Sequence, residues 1–168
     1  MCSSDLIYQA REEWQPLFDI LSRQAEVAEL DVDKAVLFAR MAELASGLLA
    51  RPEDAIDLWN KVLDLKGEDP TALRALETLH EQQERWRELV DVCDRQVNLP
   101  NNDVEREIEL YAKLGRVWGD YLDRERNALE NWNHVLERDP THEGALWAIR
   151  GLHERTADRS EEHTSELQ

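Results

Sequence analysis

The sequence predicts an all-α protein made of antiparallel helix hairpins stacked side by side. Three observations carry this. Apolar or small residues fall at Tyr111, Leu114, Gly115 and Trp118, spaced i, i+3, i+4, i+7, and again at Ala128, Trp132 and Val135, the period of one helix face. The chain also repeats itself. EEWQPLFDILSRQ at 12–24 aligns with ERWRELVDVCDRQ at 84–96, EDAIDLWNKVL at 53–63 with RNALENWNHVL at 126–136, and ALRALETLHE at 72–81 with ALWAIRGLHE at 145–154. Finally, no run alternates apolar and polar residues as a half-buried strand would.

The copies are offset by 72 residues in the first pair of segments and by 73 in the other two. The second copy therefore carries one more residue, placed in the loop around Leu30 to Asp33 and Asn101 to Asp103. Four helices are expected in each copy, near 11–28, 33–49, 53–65 and 70–83, then near 85–98, 103–122, 125–138 and 142–155. Pro52 suits a first helical turn, where no N–H partner is lost. Asp69-Pro70 and Asp139-Pro140 mark interhelix turns, and Asp33 and Asp103 are expected N-caps. Pairing in order gives hairpins at 33–65, 70–98 and 103–138, with half-hairpins at 11–28 and 142–155. Ile7-Tyr8-Gln9 is expected to be the stump of a helix preceding 11–28.

Tyr111 to Pro140, YAKLGRVWGDYLDRERNALENWNHVLERDP, resembles the tetratricopeptide repeat, with Gly115 and Ala128 small where two backbones approach and Pro140 closing. It departs from that pattern by one extra residue in the turn before Ala128. The first hairpin holds Phe38, Met41, Ala42, Ala45, Ala55, Trp59 and Val62 at the same positions. The central one holds Leu73, Leu76, His80, Trp86, Leu89 and Cys93, with Glu77 where a small residue is usual. The resemblance covers nearly all of 7–158 and implies a right-handed superhelical α-solenoid, whose concave groove is lined by the first helix of each hairpin. In that frame the groove presents Glu43 with Val36, Ala39 and Ser46, then Arg74, Thr78 and Glu81 beside Thr71, then Arg116 with Glu109, Ala112 and Gly119, and finally Trp147 and Glu154. Some tetratricopeptide domains clamp a partner's terminal carboxylate with Lys and Asn side chains, a constellation not visible here.

The two ends read as foreign to the repeat. RSEEHTSELQ at 159–168 is what AGA TCG GAA GAG CAC ACG TCT GAA CTC CAG encodes, a string that looks like a common sequencing-library adapter. The reverse complement of its opening bases, with GTG as the start codon, reads MCSSDL, residues 1–6. The expectation is an adapter-derived scar at 1–6, a repeat array at 7–158 cut from a longer protein, and an adapter-derived, disordered or frayed tail at 159–168. Burial of Leu167 would count against this. The open apolar face around Leu146, Ile149 and Leu152 is expected to leave the fragment prone to self-association or marginally stable.

The net charge is −17; the two ends carry four carboxylates against Arg159, a net of −3, which leaves −14 for 7–158. Only four Lys occur, at 34, 61, 66 and 113, so clustered cations for a phosphate backbone or an anionic membrane surface are absent. Protein or peptide partners with basic or apolar segments fit better. No apolar run approaches the roughly 18 residues of a membrane span. With Cys2 assigned to the scar, Cys93 is the one cysteine of the array and, seven residues after Trp86, reads as a buried structural thiol.

Six tryptophans raise the question of a ligand cage. Trp14, Trp59, Trp86, Trp118 and Trp132 fall on repeat positions facing a neighbouring helix, and burial of each side chain, worth about 2–3 kcal/mol, explains them as core. Trp147 takes the position Arg74 has one unit earlier, so it is either a partner anchor in the groove or packing for a following helix. His80 and His153 are repeat-equivalent and share an expected structural role, and His134 and His142 lack a metal-ligand spacing with a third partner. No HExxH, GK[ST] loop, GxSxG or GxGxxG occurs. No catalytic, cofactor or metal residue is assigned. The reading is a non-enzymatic interaction scaffold binding a partner on the groove or acidic face. Two alternatives are a docking segment of a larger enzyme, such as a kinase or peptidase, and an RNA-processing helical repeat, which the charge opposes.

Overall fold

The structure, a computed structural model, describes the backbone of residues 3–100 and 102–165 and the side chains of 14–100 and 102–156. Eight α-helices follow one another among them: α1 (Ser3–Val27), α2 (Asp31–Gly47), α3 (Pro52–Lys66), α4 (Pro70–Gln82), α5 (Trp86–Val97), α6 (Val104–Arg116), α7 (Glu125–Arg138) and α8 (Glu143–Ser165). α6 runs on into a π-helical turn over Val117–Tyr121. The chain divides between Arg85 and Trp86 into two compact units, α1–α4 and α5–α8, a boundary that falls inside the hairpin expected at 70–98. Within each unit the helices pack in sequence order, each on its neighbour.

The small residues do what their spacing requires. In unit 1, Ala42, Ala45 and Ala55 are wholly buried, which lets α2 and α3 approach closely, and Trp59 and Val62 fill the space beside them. Unit 2 repeats this with Ala128, Trp132 and Val135 of α7 joined by Ala145 and Leu152 of α8. A second cluster joins Leu89, Val90 and Cys93 of α5 to Leu110, Leu114 and Val117, with Trp86 and Trp118 packed against it. Gly115 lies under the Trp132 indole: a Cβ added there would sit 2.7 Å from Cε2 of that ring. Trp59 and Trp132 are both buried, at 3% and 6% exposure, while Trp14, Trp86 and Trp118 are only half-buried, so the core role expected of five tryptophans is complete in two.

The extra residue of the hairpin turns has a visible fate. Phe38 to Ala55 and Tyr111 to Ala128 each span 17 positions, where Leu73 to Leu89 spans 16. In both longer turns the helix end unwinds the same way. Leu49 N–H donates to Leu44 O at 2.9 Å and Arg51 N–H to Ala45 O at 2.7 Å; Leu122 N–H donates to Val117 O at 3.1 Å and Arg124 N–H to Trp118 O at 2.8 Å. The intervening residue is left-handed in each, Ala50 at φ 52° and Asp123 at φ 51°. After α4 the bond is one residue tighter, Arg85 N–H to His80 O at 2.9 Å, with Glu84 left-handed at φ 54°. This is the Schellman closure, and the longer turns are its widened form.

Caps and boundaries bring corrections. Asp69 Oδ1 accepts from the amides of Thr71 and Ala72 at 3.0 Å, and Asp103 from that of Arg106 at 2.7 Å. Asp33 is not an N-cap: α2 begins at Asp31 behind an uncapped Leu30, and both aspartates lie in the first turn, where the helix dipole favours a carboxylate. Ile7-Tyr8-Gln9 is no separate stump, since α1 is continuous from Ser3 and passes through Pro16. Of the two forms expected for the tail from Arg159, disordered or a frayed extension, the backbone takes the second, continuing α8 as far as Ser165 with no Gly or Pro to stop it; Leu167 lies outside the described residues. The open face of α8 is also shifted. Leu152 is buried at 1% exposure and belongs to the core, whereas Leu146, half exposed, Ile149 and the exposed His153 form the i, i+3, i+7 stripe. His80 is buried and His153 is not, so the two do not share surroundings.

Three measurements follow from this packing. Gly115→Ala is expected to lower stability by about 1 kcal/mol, because displacing a buried ring costs about 1–3 kcal/mol and the better helix former returns only about 1; a thermal melt checks it. Ala50→Gly is expected to stabilise by about 0.5–1 kcal/mol by relieving the left-handed alanine, seen as a raised denaturation midpoint. Burial tends to raise the Asp69 carboxyl, but Lys66 Nζ at 2.7 Å and the two amides hold it below the usual 3.8. Its contribution is therefore present above that value and lost as pH falls through the lowered one. Asp69→Ala should cost about 1 kcal/mol at neutral pH, and the difference from wild type should vanish in urea titrations at strongly acid pH.

Candidate functional site

Half of the expected groove residues line one cleft in each unit, while Val36, Ala39, Arg74, Glu81 and Glu154 lie outside both linings. In unit 1 a cleft of about 420 Å³ opens between α2 and α4, lined by Glu43, Ser46, Thr71, Thr78 and Gln82, with Trp59 at its base. In unit 2 a cleft of about 330 Å³ opens between α6 and α8, lined by Arg116, Gly119, Trp147, Gly151 and Arg155, with Trp132 at its base. Each residue lining the first has its counterpart, 73 positions on, lining the second. Two chemically distinct sequences thus build the same concavity, because the buried Trp and the small residues that set helix separation are repeated.

Of the six residues singled out from sequence, Glu43 and Thr78 line the unit 1 cleft and Arg116 and Trp147 the unit 2 cleft. Arg74 and Glu81 are exposed on α4 outside that lining. Thr78 Oγ1 donates to Arg74 O at 3.1 Å, which turns the hydroxyl back onto its own helix. Gln82, Asp120, Gly144, Gly151 and Arg155 were not among the expected groove positions. The 73-residue offset could have found Gly144 and Gly151, since Thr71 and Thr78 were already assigned.

Trp147 is 68% exposed, and the Arg150 guanidinium lies 5.6 Å from its ring centroid while bonded to Glu154 at 2.8 Å. Arg116 and Arg155, by contrast, make no hydrogen bond or ion pair among the described residues. A neighbouring hollow of about 540 Å³ adds Glu109, Ala112 and His142, with Arg116 common to both. The other side of unit 2 carries a polar cleft of about 420 Å³ with Asp94, Asn127, Glu130, Asn131 and His134. Burial, and then the charge of Asp91, push the Asp94 carboxyl up from its ordinary range.

The histidines are engaged structurally. His134 Nδ1 lies 2.9 Å from Glu137 with its ring tilted against Tyr111, and His142 Nδ1 accepts from Ala145 N–H at 3.0 Å, capping α8. Cys93 is fully buried in the α5–α6 cluster. Among the described residues no cluster of His, Cys, Asp or Glu is placed to hold a metal ion, and no helix is long and apolar enough to cross a membrane. The clefts offer hydroxyls, carboxylates, guanidiniums, a carboxamide and an indole.

The sequence matches no protein-family model, and no curated protein matches it. Solved structures do. MamA is similar with a TM-score of 0.59 and 19% identity over 96% of this chain and 88% of that one. A second MamA structure gives 0.56 and 20% over 94% and 84%. The first TPR of Spaghetti (RPAP3), bound to the HSP90 peptide SRMEEVD, gives 0.53 and 19% over 76% of this chain and 97% of that one. Together with the repeat and its hairpin packing, these likenesses establish the fold of this chain as a helical repeat of the tetratricopeptide type.

Proposed function

We propose that this protein is a non-enzymatic interaction scaffold that holds a partner protein or peptide in the first-helix clefts of its units. One observation carries the reading: Trp147, 68% exposed, stands at the rim of a cleft whose base is apolar and whose walls are polar. A large exposed aromatic of this kind costs solvation and contributes nothing to its own core, while in an interface it is the typical anchor. The first TPR of Spaghetti, which shares the fold, was solved with a peptide bound, and that supports the reading by analogy of architecture.

Selection of random displayed peptides against the whole chain tests it. Enrichment is expected, and Trp147→Ala is expected to weaken the enriched peptides by about tenfold or more with an unchanged thermal midpoint, because the ring is exposed. No enrichment, or enriched peptides indifferent to both Trp147→Ala and Thr78→Leu, would refute it.

A further inference from the structure

The two units present one concavity with opposed chemistry. Glu43 of α2 is answered 73 residues later by Arg116 of α6, Gln82 by Arg155, Thr78 by Gly151 and Arg74 by Trp147. A lining with one carboxylate and no cation becomes one with two guanidiniums against the single carboxylate of Asp120. Among the described residues neither Arg116 nor Arg155 makes a hydrogen bond or ion pair, although the protein carries a net charge of −17. The cleft therefore presents two exposed guanidiniums with no carboxylate partner among the described residues.

Gly151 adds a steric observation. It lies inside α8, where glycine is a poorer helix former than alanine, and a Cβ built on it would meet nothing within 4 Å. Packing does not require glycine there. Its effect is to leave α8 bare one turn beyond Trp147, at the position where unit 1 carries Thr78. Gly144 and Gly151 both line the cleft and lie seven residues apart on α8, about 10 Å at 1.5 Å per residue. A trough of that length accommodates a passing chain rather than one side chain.

We infer that the unit 2 cleft takes an internal peptide segment in which a large apolar side chain adjoins an acidic residue. The apolar group lies beside Trp147 over the bare turn of α8 at Gly151, and the carboxylate pairs with Arg116 and Arg155. Charge complementarity selects the carboxylate, and the open trough selects an internal segment over a chain end. Unit 1, with Glu43 and Thr78 in the matching places, disfavours the same segment. This rests on the reading of the clefts as peptide sites.

The probe is the doubly capped heptapeptide acetyl-Gly-Ser-Glu-Phe-Glu-Gly-Ser-amide, titrated into the whole protein while the Trp147 indole N–H is followed by NMR, assigned through Trp147→Phe. The expected result is a saturable shift of that resonance, absent with the counterpart carrying Lys for both Glu. Arg116→Glu with Arg155→Gln, which installs the unit 1 groups, is expected to weaken binding at least about tenfold without altering the melt. Gly151→Thr should weaken it too while leaving the fold at least as stable. Equal response to the Lys peptide, or no shift at Trp147 with either, overturns the inference. So does tighter binding of an uncapped peptide whose only carboxylate is its C-terminus, which would assign the cleft to chain ends. If displayed peptides still enrich but bind without acidic residues or away from Trp147, this inference fails while the scaffold reading stands.

Discussion

An indole ring resting on bare backbone sets the geometry on which the α6–α7 hairpin depends. Trp132 can lie flat against α6 only because Gly115 has no side chain, and Ala42 holds the equivalent place beside the equally buried Trp59 in unit 1. A buried ring of that size is worth about 2–3 kcal/mol of removed apolar area, more than any surface ion pair here contributes. The wide turn accompanies the same arrangement. With 17 positions between the first aromatic of a hairpin and the small residue of its second helix, the chain needs one residue more than the tight closure after α4 provides. Unwinding the helix end to bonds six residues long, through a left-handed Ala50 or Asp123, supplies it.

Polar contacts tune this frame rather than create it. Arg138 reaches from α7 to Glu107 of α6 at 2.5 Å and lies 4.5 Å from the Tyr111 ring centroid; the hydrogen bond it donates to the Glu107 carboxylate is the main reason its guanidinium is held above its ordinary range. Tyr121, at the end of the π-helical turn, stacks on Trp86 with centroids 3.8 Å apart and thereby ties the turn to α5. The turn thus serves two masters: it sets the register of α7 and it carries Gly119 and Asp120 to the cleft wall. A constraint imposed by the core reaches the candidate binding surface in this way.

Much of this was legible in the residues. Helical period and internal repetition determine the number, order and approximate bounds of the helices, and the Asp69 and Asp103 caps follow from local chemistry alone. Less legible were features decided by a neighbour's presence. Asp33 fits a cap by type, yet nothing breaks the helix between it and Asp31. Leu152 and Leu146 share an apolar helix, and only the direction of α7 determines that one is buried and the other half exposed. The cleft positions on the second copy were within reach, because the offset that maps Thr78 onto Gly151 is the one that maps Trp59 onto Trp132.

The pattern of divergence between the copies separates fold from function more sharply than either copy alone. Where the core makes demands, the pairs stay alike: Trp59 with Trp132, Val62 with Val135, Leu79 with Leu152. At the exposed rim of the cleft several pairs differ in charge, size or both, as in Glu43 with Arg116, Thr78 with Gly151 and Gln82 with Arg155, while Ala75 with Ala148 stays alike. Random drift on a solvated face would leave hydrophilic residues exchanged for one another, since exposing an indole or opening a helix with glycine costs free energy. Trp147 and Gly151 run against that expectation together, on the same helix and around the same hollow.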